Sequence, residues 1–60
     1  MKSSDLINML TSDGWFESSR KGSHITFRHP TKKNHVTVPH PKKDLGTGLA
    51  HRILKDAGLK

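Results

Sequence analysis

Apolar residues come in short periodic patches, never more than two in a row, separated by polar stretches that carry glycine and proline. In the first patch Leu6, Met9 and Leu10 recur at i, i+3, i+4, with Ile7 beside them, which is the spacing of one helix face. Ser3 or Ser4 is a capping residue and Asp5 suits a first turn, so the pattern predicts an α-helix over Ser3–Ser12. Asp13-Gly14 stops it. Trp15–Arg20 reads as a strand of weak alternation, and Lys21-Gly22 as a tight reversal. Alternation is clearest over Ser23–His29, where Ile25 and Phe27 face one way and His24, Thr26 and Arg28 the other. The run Pro30-Thr31-Lys32-Lys33-Asn34 breaks that strand. The pattern resumes in His35-Val36-Thr37-Val38, until Pro39 and Pro41, which cannot donate to a ladder, close it. Lys42–Gly46 is a basic connection. Leu49, Ile53 and Ala57 then recur at i, i+4, i+8, widened by Ala50 and Leu54, and predict a helix over Gly48–Ala57 with Thr47 as N-cap and Gly58 just past the end.

The predicted order is α-β-β-β-α. Strands with one apolar face each, flanked by amphipathic helices, pack as an α+β domain: a three-stranded antiparallel sheet with both helices on its apolar face. The other sheet face is left to water. Residues 1–60 fill a single domain, which buries only about 60% of the surface of the unfolded chain. Chemistry in so small a core belongs on an open surface and on few residues. The chain has no cysteine, which excludes disulfides, thiolate metal sites and a cysteine nucleophile. With 30% hydrophobic residues, no run near membrane length and no signal-peptide core, the expectation is a cytoplasmic protein with no membrane partner.

Charge narrows the partner. Eleven Lys and Arg against 5 Asp and Glu give a net +6. That magnitude alone is ordinary for solubility, so sign and clustering carry the argument. Eight of the eleven fall in four clusters: Arg20-Lys21, Lys32-Lys33, Lys42-Lys43, and Arg52 with Lys55. Such clusters beside a polar sheet suit a domain that reads RNA through phosphates and shape. Trp15, Phe16 and Phe27 are the only aromatics, which argues against a base-stacking single-strand reader.

Five histidines, His24, His29, His35, His40 and His51, are the other anomaly. Cutting RNA means taking a proton from a 2′-hydroxyl and giving one to a departing 5′-oxygen, which imidazole does near neutral pH. The RNA carries its own nucleophile, so neither metal nor cofactor is required. His24 is the best placed, entering its strand directly after Gly22-Ser23, on the face that also carries Arg28. Glycine lets a phosphate approach the backbone, Ser23 offers a hydroxyl and an N–H, and Lys21 sits in the turn. A surface histidine that only contacts RNA, in a non-catalytic binding module, is the rival reading. A metal site is disfavoured, because the spacings His24/His29 and His35/His40 put the paired histidines on opposite strand faces.

Several stretches together resemble one family: Gly14-Trp15, Lys21-Gly22-Ser23-His24, Arg28-His29-Pro30, Val36-Thr37-Val38-Pro39-His40-Pro41-Lys42-Lys43-Asp44-Leu45, and Ile53-Leu54-Lys55-Asp56-Ala57-Gly58-Leu59. The chain is similar to the HicA toxins over essentially its whole length. That resemblance implies a fold like that of double-stranded-RNA-binding domains and an mRNA-cleaving, growth-arresting toxin masked by a HicB-type antitoxin. It assigns the catalytic histidine to His24, with Lys21, Gly22, Ser23, Arg28, Lys42 and Lys43 as phosphate-approach and charge residues. One departure stands out: Gly48-Leu49-Ala50-His51 replaces the family's usual Gly-Thr-Leu-Arg at the start of the last helix.

Overall fold

A computed structural model describes all residues, 1–60. The elements are α1 (Ser3–Ser12), β1 (Phe16–Lys21), β2 (His24–Arg28), β3 (Val36–Pro39) and α2 (Thr47–Asp56). The strands form one antiparallel sheet in the order β1-β2-β3. This is the α-β-β-β-α arrangement that the periodicity predicts.

The two strong alternations supply the sheet's share of the core. Ile25 and Phe27 of β2 pair with Val38 and Val36 of β3, and all four are buried. Leu6 and Leu10 of α1, and Ala50, Ile53 and Leu54 of α2, close over them with Trp15, Leu45 and Ala57. Both helices pack on β3, whereas all six residues of β1 are exposed. The reason is in its sequence: after Phe16, which is half exposed, β1 has no apolar side chain to bury. Its attachment is the ladder to β2, interrupted by an irregularity between Glu17 and Ser19.

Four local expectations need correction. First, α1 has Lys2 at its N-cap and no side-chain cap bond. Ser3 is instead inside the helix and 2% exposed, with its hydroxyl engaged elsewhere. Second, the helix stripes are narrower than the apolar pattern. Met9 (41% exposed) and Leu49 (39%) lie outside the core, and α2 buries Ala50, Ile53 and Leu54, with Ala57 just past its end continuing the stripe at i, i+3, i+4, i+7. Third, α2 begins at Thr47, and Gly46 is its N-cap at φ 76° with no side-chain bond. Fourth, the first hairpin turns on Gly22-Ser23, not Lys21-Gly22, because Lys21 still pairs with His24. A positive φ of 59° at Gly22 and none at Ser23 is the pattern of a two-residue turn with glycine first. Pro39 remains in β3, opposite His24, which an edge strand tolerates.

A polar cluster ties the far end of the sheet together. Lys32 Nζ donates to Asp13 Oδ2 and to the Ala57 carbonyl, both at 2.7 Å. Trp15 Nε1–H donates to the same carboxylate at 3.2 Å. The Thr31 N–H donates to His29 Nδ1 at 3.2 Å, so His29 carries its proton on Nε2 and donates to the Asp13 carbonyl at 2.7 Å. Trp15 and His29 meet edge to face, 5.3 Å between centroids. Gly14 lies beneath this contact at φ 102°, and a Cβ there would sit 3.0 Å from His29 Nε2. Three segments distant in sequence are thus joined by charge, hydrogen bonds and aromatic contact.

Candidate nucleic-acid interface

The Gly22-Ser23 turn delivers His24 to the start of β2, where Lys21 on one side and Pro39 on the other are its strand partners. Its side chain is exposed, on the sheet face away from the helices. The same face carries Thr26, paired with Thr37 through hydroxyls 3.4 Å apart. Of the expected site residues, Lys21, Gly22, Ser23 and His24 are therefore contiguous and open to solvent. Arg28 shares the face but not the place: four residues along a strand is about 13 Å. It lies toward the end of the sheet that holds the Asp13 cluster.

Lys42 and Lys43, remote in sequence, come to the His24 end through the N-terminal segment. The Ser3 N–H donates to the Lys42 carbonyl at 2.9 Å, and Leu45 N–H to the Met1 carbonyl at 2.9 Å. Asp44 is held by the Gly46 N–H and then by the terminal amine, and these keep its carboxyl below the ordinary range. So tethered, the 42–46 connection sits beside the strand ends. Two bonds complete the junction: His40 N–H donates to the Ser23 carbonyl at 2.6 Å, and the Lys42 N–H to Ser3 Oγ at 2.9 Å.

The result is an open concavity of about 640 Å³ lined by Lys2, Ser3, Ser4, His40, Pro41, Lys42 and Lys43. None of its lysines, nor Lys21, is in an ion pair. Not every basic cluster is free in this way. Lys32 is neutralised by Asp13, whose carboxyl it holds below the usual range, and Arg20 is paired with Glu17 at 3.3 Å. On α2, His51, Arg52 and Lys55 form a separate basic surface with Lys60, whose Nζ donates to His51 Nε2 at 2.7 Å. No three His, Asp or Glu side chains stand together as a metal-ligand group, and no helix is long and apolar enough to cross a membrane.

Two residues of this end were not singled out from sequence, His40 and Ser3. The pattern gives Ser3 as a helix cap, and His40 only as the partner of His35 on the opposite strand face. The available signal was His40's position between Pro39 and Pro41, where the ladder must end and the side chain is free to turn.

A family profile described as HicA toxin of bacterial toxin-antitoxin matches residues 3–59. Among solved structures, the chain is similar to one from a "HicA3 and HicB3 toxin-antitoxin complex". The TM-score is 0.88 at 36% identity, over 100% of this chain and 97% of that one. No curated protein sequence matches significantly.

Proposed function

Because the chain belongs to the HicA toxin family of bacterial toxin–antitoxin systems, we propose that it is a cytoplasmic mRNA endoribonuclease held in check by a HicB-type antitoxin. The observation that carries this reading is His24 itself. It is an exposed imidazole set by a Gly-Ser turn at the edge of an unpaired basic surface. In the reaction the RNA's 2′-hydroxyl attacks the adjacent phosphorus and the bond to the 5′-oxygen breaks. The products are a 2′,3′-cyclic phosphate, or its hydrolysed form, and a 5′-hydroxyl. His24 takes the 2′-hydroxyl proton as general base while water protonates the departing 5′-oxygen, or it gives that oxygen its proton as general acid while water takes the first. Gly22 leaves room for the phosphate, Ser23 offers it hydrogen bonds, and Lys21 offsets charge that builds up on it. Arg28, Lys42 and Lys43 hold the flanking backbone. No cofactor or metal takes part, since nucleophile and proton carriers are already in place.

The antitoxin reading rests on the structural relative, whose title names a HicA3–HicB3 complex. An inhibitor of this kind would act by covering the exposed His24 and the turn before it.

The test is incubation of pure protein with end-labelled mRNA, with and without EDTA, beside His24→Ala. We expect cleavage in EDTA, cyclic-phosphate ends, and a loss of about 10²–10⁴-fold in the variant. RNA that is bound but stays full-length would favour the non-catalytic module. Activity lost in EDTA and restored by a divalent ion would overturn the metal-free mechanism.

A further inference from the structure

We propose that His40, held in one tautomer by Ser3, is a second phosphate-binding residue, and that the concavity around it takes an RNA phosphate next to the one at His24. This rests on the RNA reading above and extends it to a group that reading does not use.

The tautomer follows from counting donors. Ser3 Oγ lies 2.7 Å from His40 Nδ1 and accepts the Lys42 N–H at 2.9 Å. Ser3 is 2% exposed, so its hydroxyl hydrogen cannot be left to water, and His40 Nδ1 is the one acceptor bonded to it. The hydroxyl therefore donates to Nδ1, and His40 keeps its proton on Nε2. A half-buried ring fixed at one nitrogen presents the other as a preoriented N–H donor. Around it stand Lys2, Lys42 and Lys43, with no carboxylate among the lining residues. A donor N–H in a concavity lined by lysines that make no ion pair is a site for an anionic oxygen.

Position and lining select the anion. His24 faces the open side of the sheet opposite Pro39, and His40, the next residue, turns to the helix side to meet Ser3. The His40 N–H to Ser23 carbonyl bond joins the two places across the strand ends. A phosphodiester chain passing the Gly22-Ser23 turn meets His24 on one side and the His40 concavity on the other. The lining offers no apolar anchor beyond Pro41, whereas protein partners are captured chiefly by buried aromatic and aliphatic groups. A nucleic-acid backbone fits; an acidic protein segment fits less well.

The experiment uses the full chain and a 2′-O-methyl oligoribonucleotide, which binds but cannot be cut. Affinity is measured for the parent, His40→Gln, whose amide nitrogen reaches about where Nε2 does, and His40→Leu. Circular dichroism reports folding. In parallel, ¹⁵N spectra of the parent's imidazoles follow the titration. We expect the Nε2–H tautomer at His40 in the free protein and a shift of Nε2 on binding. His40→Leu should lose about tenfold in affinity, the scale of one charge-assisted hydrogen bond, and His40→Gln should recover most of it. Equal affinities, or an Nδ1–H tautomer, overturn the proposal while leaving RNA cleavage at His24 standing. A parent that neither binds this oligonucleotide nor cuts RNA overturns the underlying reading instead. His40 signals that respond to a polyglutamate peptide but not to the oligonucleotide would give the concavity to a protein partner, and the proposal would fall.

Discussion

The two ends of the sheet are built from the same materials and resolve them in opposite ways. At the far end a histidine, a lysine and an aspartate satisfy one another: His29 donates to the Asp13 backbone and Lys32 closes on the Asp13 carboxylate. At the near end the one carboxylate, Asp44, is taken by the terminal amine and the Gly46 N–H, and the lysines beside the histidines are in no ion pair. His24 is exposed, His40 is held through one nitrogen, and Lys2, Lys42 and Lys43 surround open space. A charge neutralised inside the molecule contributes to holding it together. A charge left without a partner is available to something outside it. In a chain with so small a core, this division shows which motif residues serve the fold and which serve the surface.

The far end should be indispensable to folding. Trp15 is 2% exposed and touches both His29 and Lys32. Trp15→Ala should cost about 3–5 kcal/mol, most of what a domain of this size has. Chemical denaturation should find the variant largely unfolded in buffer; a shift below 1 kcal/mol would deny the far end its structural role. His24→Ala, which removes no buried contact, should stay within about 0.5 kcal/mol of the parent in the same assay.

A smaller effect sharpens the near end. Lys42→Ala with Lys43→Ala leaves the backbone bonds to Ser3 in place, so melting should be unaltered. RNA affinity should fall across sequences, and its salt dependence should flatten by one to two contacts, at about 0.7 each on single strands. An unchanged slope would make these lysines a solvated rim.

The smallest effect is acid sensitivity. Lys32 chiefly, with Trp15 and His29, lowers the Asp13 carboxyl, and the Gly46 N–H with the terminal amine lowers Asp44. A carboxylate stabilised in the folded state contributes fully above its unfolded value. That contribution is lost as pH falls through the lowered folded value. Melting temperature should therefore decline below about pH 3.8, the ordinary value of the group. Lys32→Met should melt about 5 °C lower at neutral pH and show a shallower decline in acid. Parallel curves for the two proteins would remove Lys32 from the explanation.

Much of this molecule was determined by its sequence alone. Strict alternation in β2 and β3 dictates which side chains enter the core, because a one-residue slip would send Ile25 and Phe27 to water. Helical spacing places Leu6, Leu10, Ile53 and Leu54 on the covering faces, and Gly22 marks the reversal before His24, although the turn falls one residue later than the pattern predicts. These are local constraints, readable within a few residues. Only the tertiary structure decided the rest. Met9 and Leu49 fit the helical pattern yet stay exposed, outside the faces that α1 and α2 turn to the core. Lys32 and Lys42 look alike in sequence, each the first of a lysine pair in a loop beside prolines. One is tied to Asp13 and the Ala57 carbonyl, while the other has its backbone pinned by Ser3 and its ammonium free. Ser3 and His40 are 37 positions apart, and neither is informative until folding brings them within a hydrogen bond. Periodicity encodes which face of an element is buried, but the pairing of polar groups depends on distances between elements, which no local pattern contains.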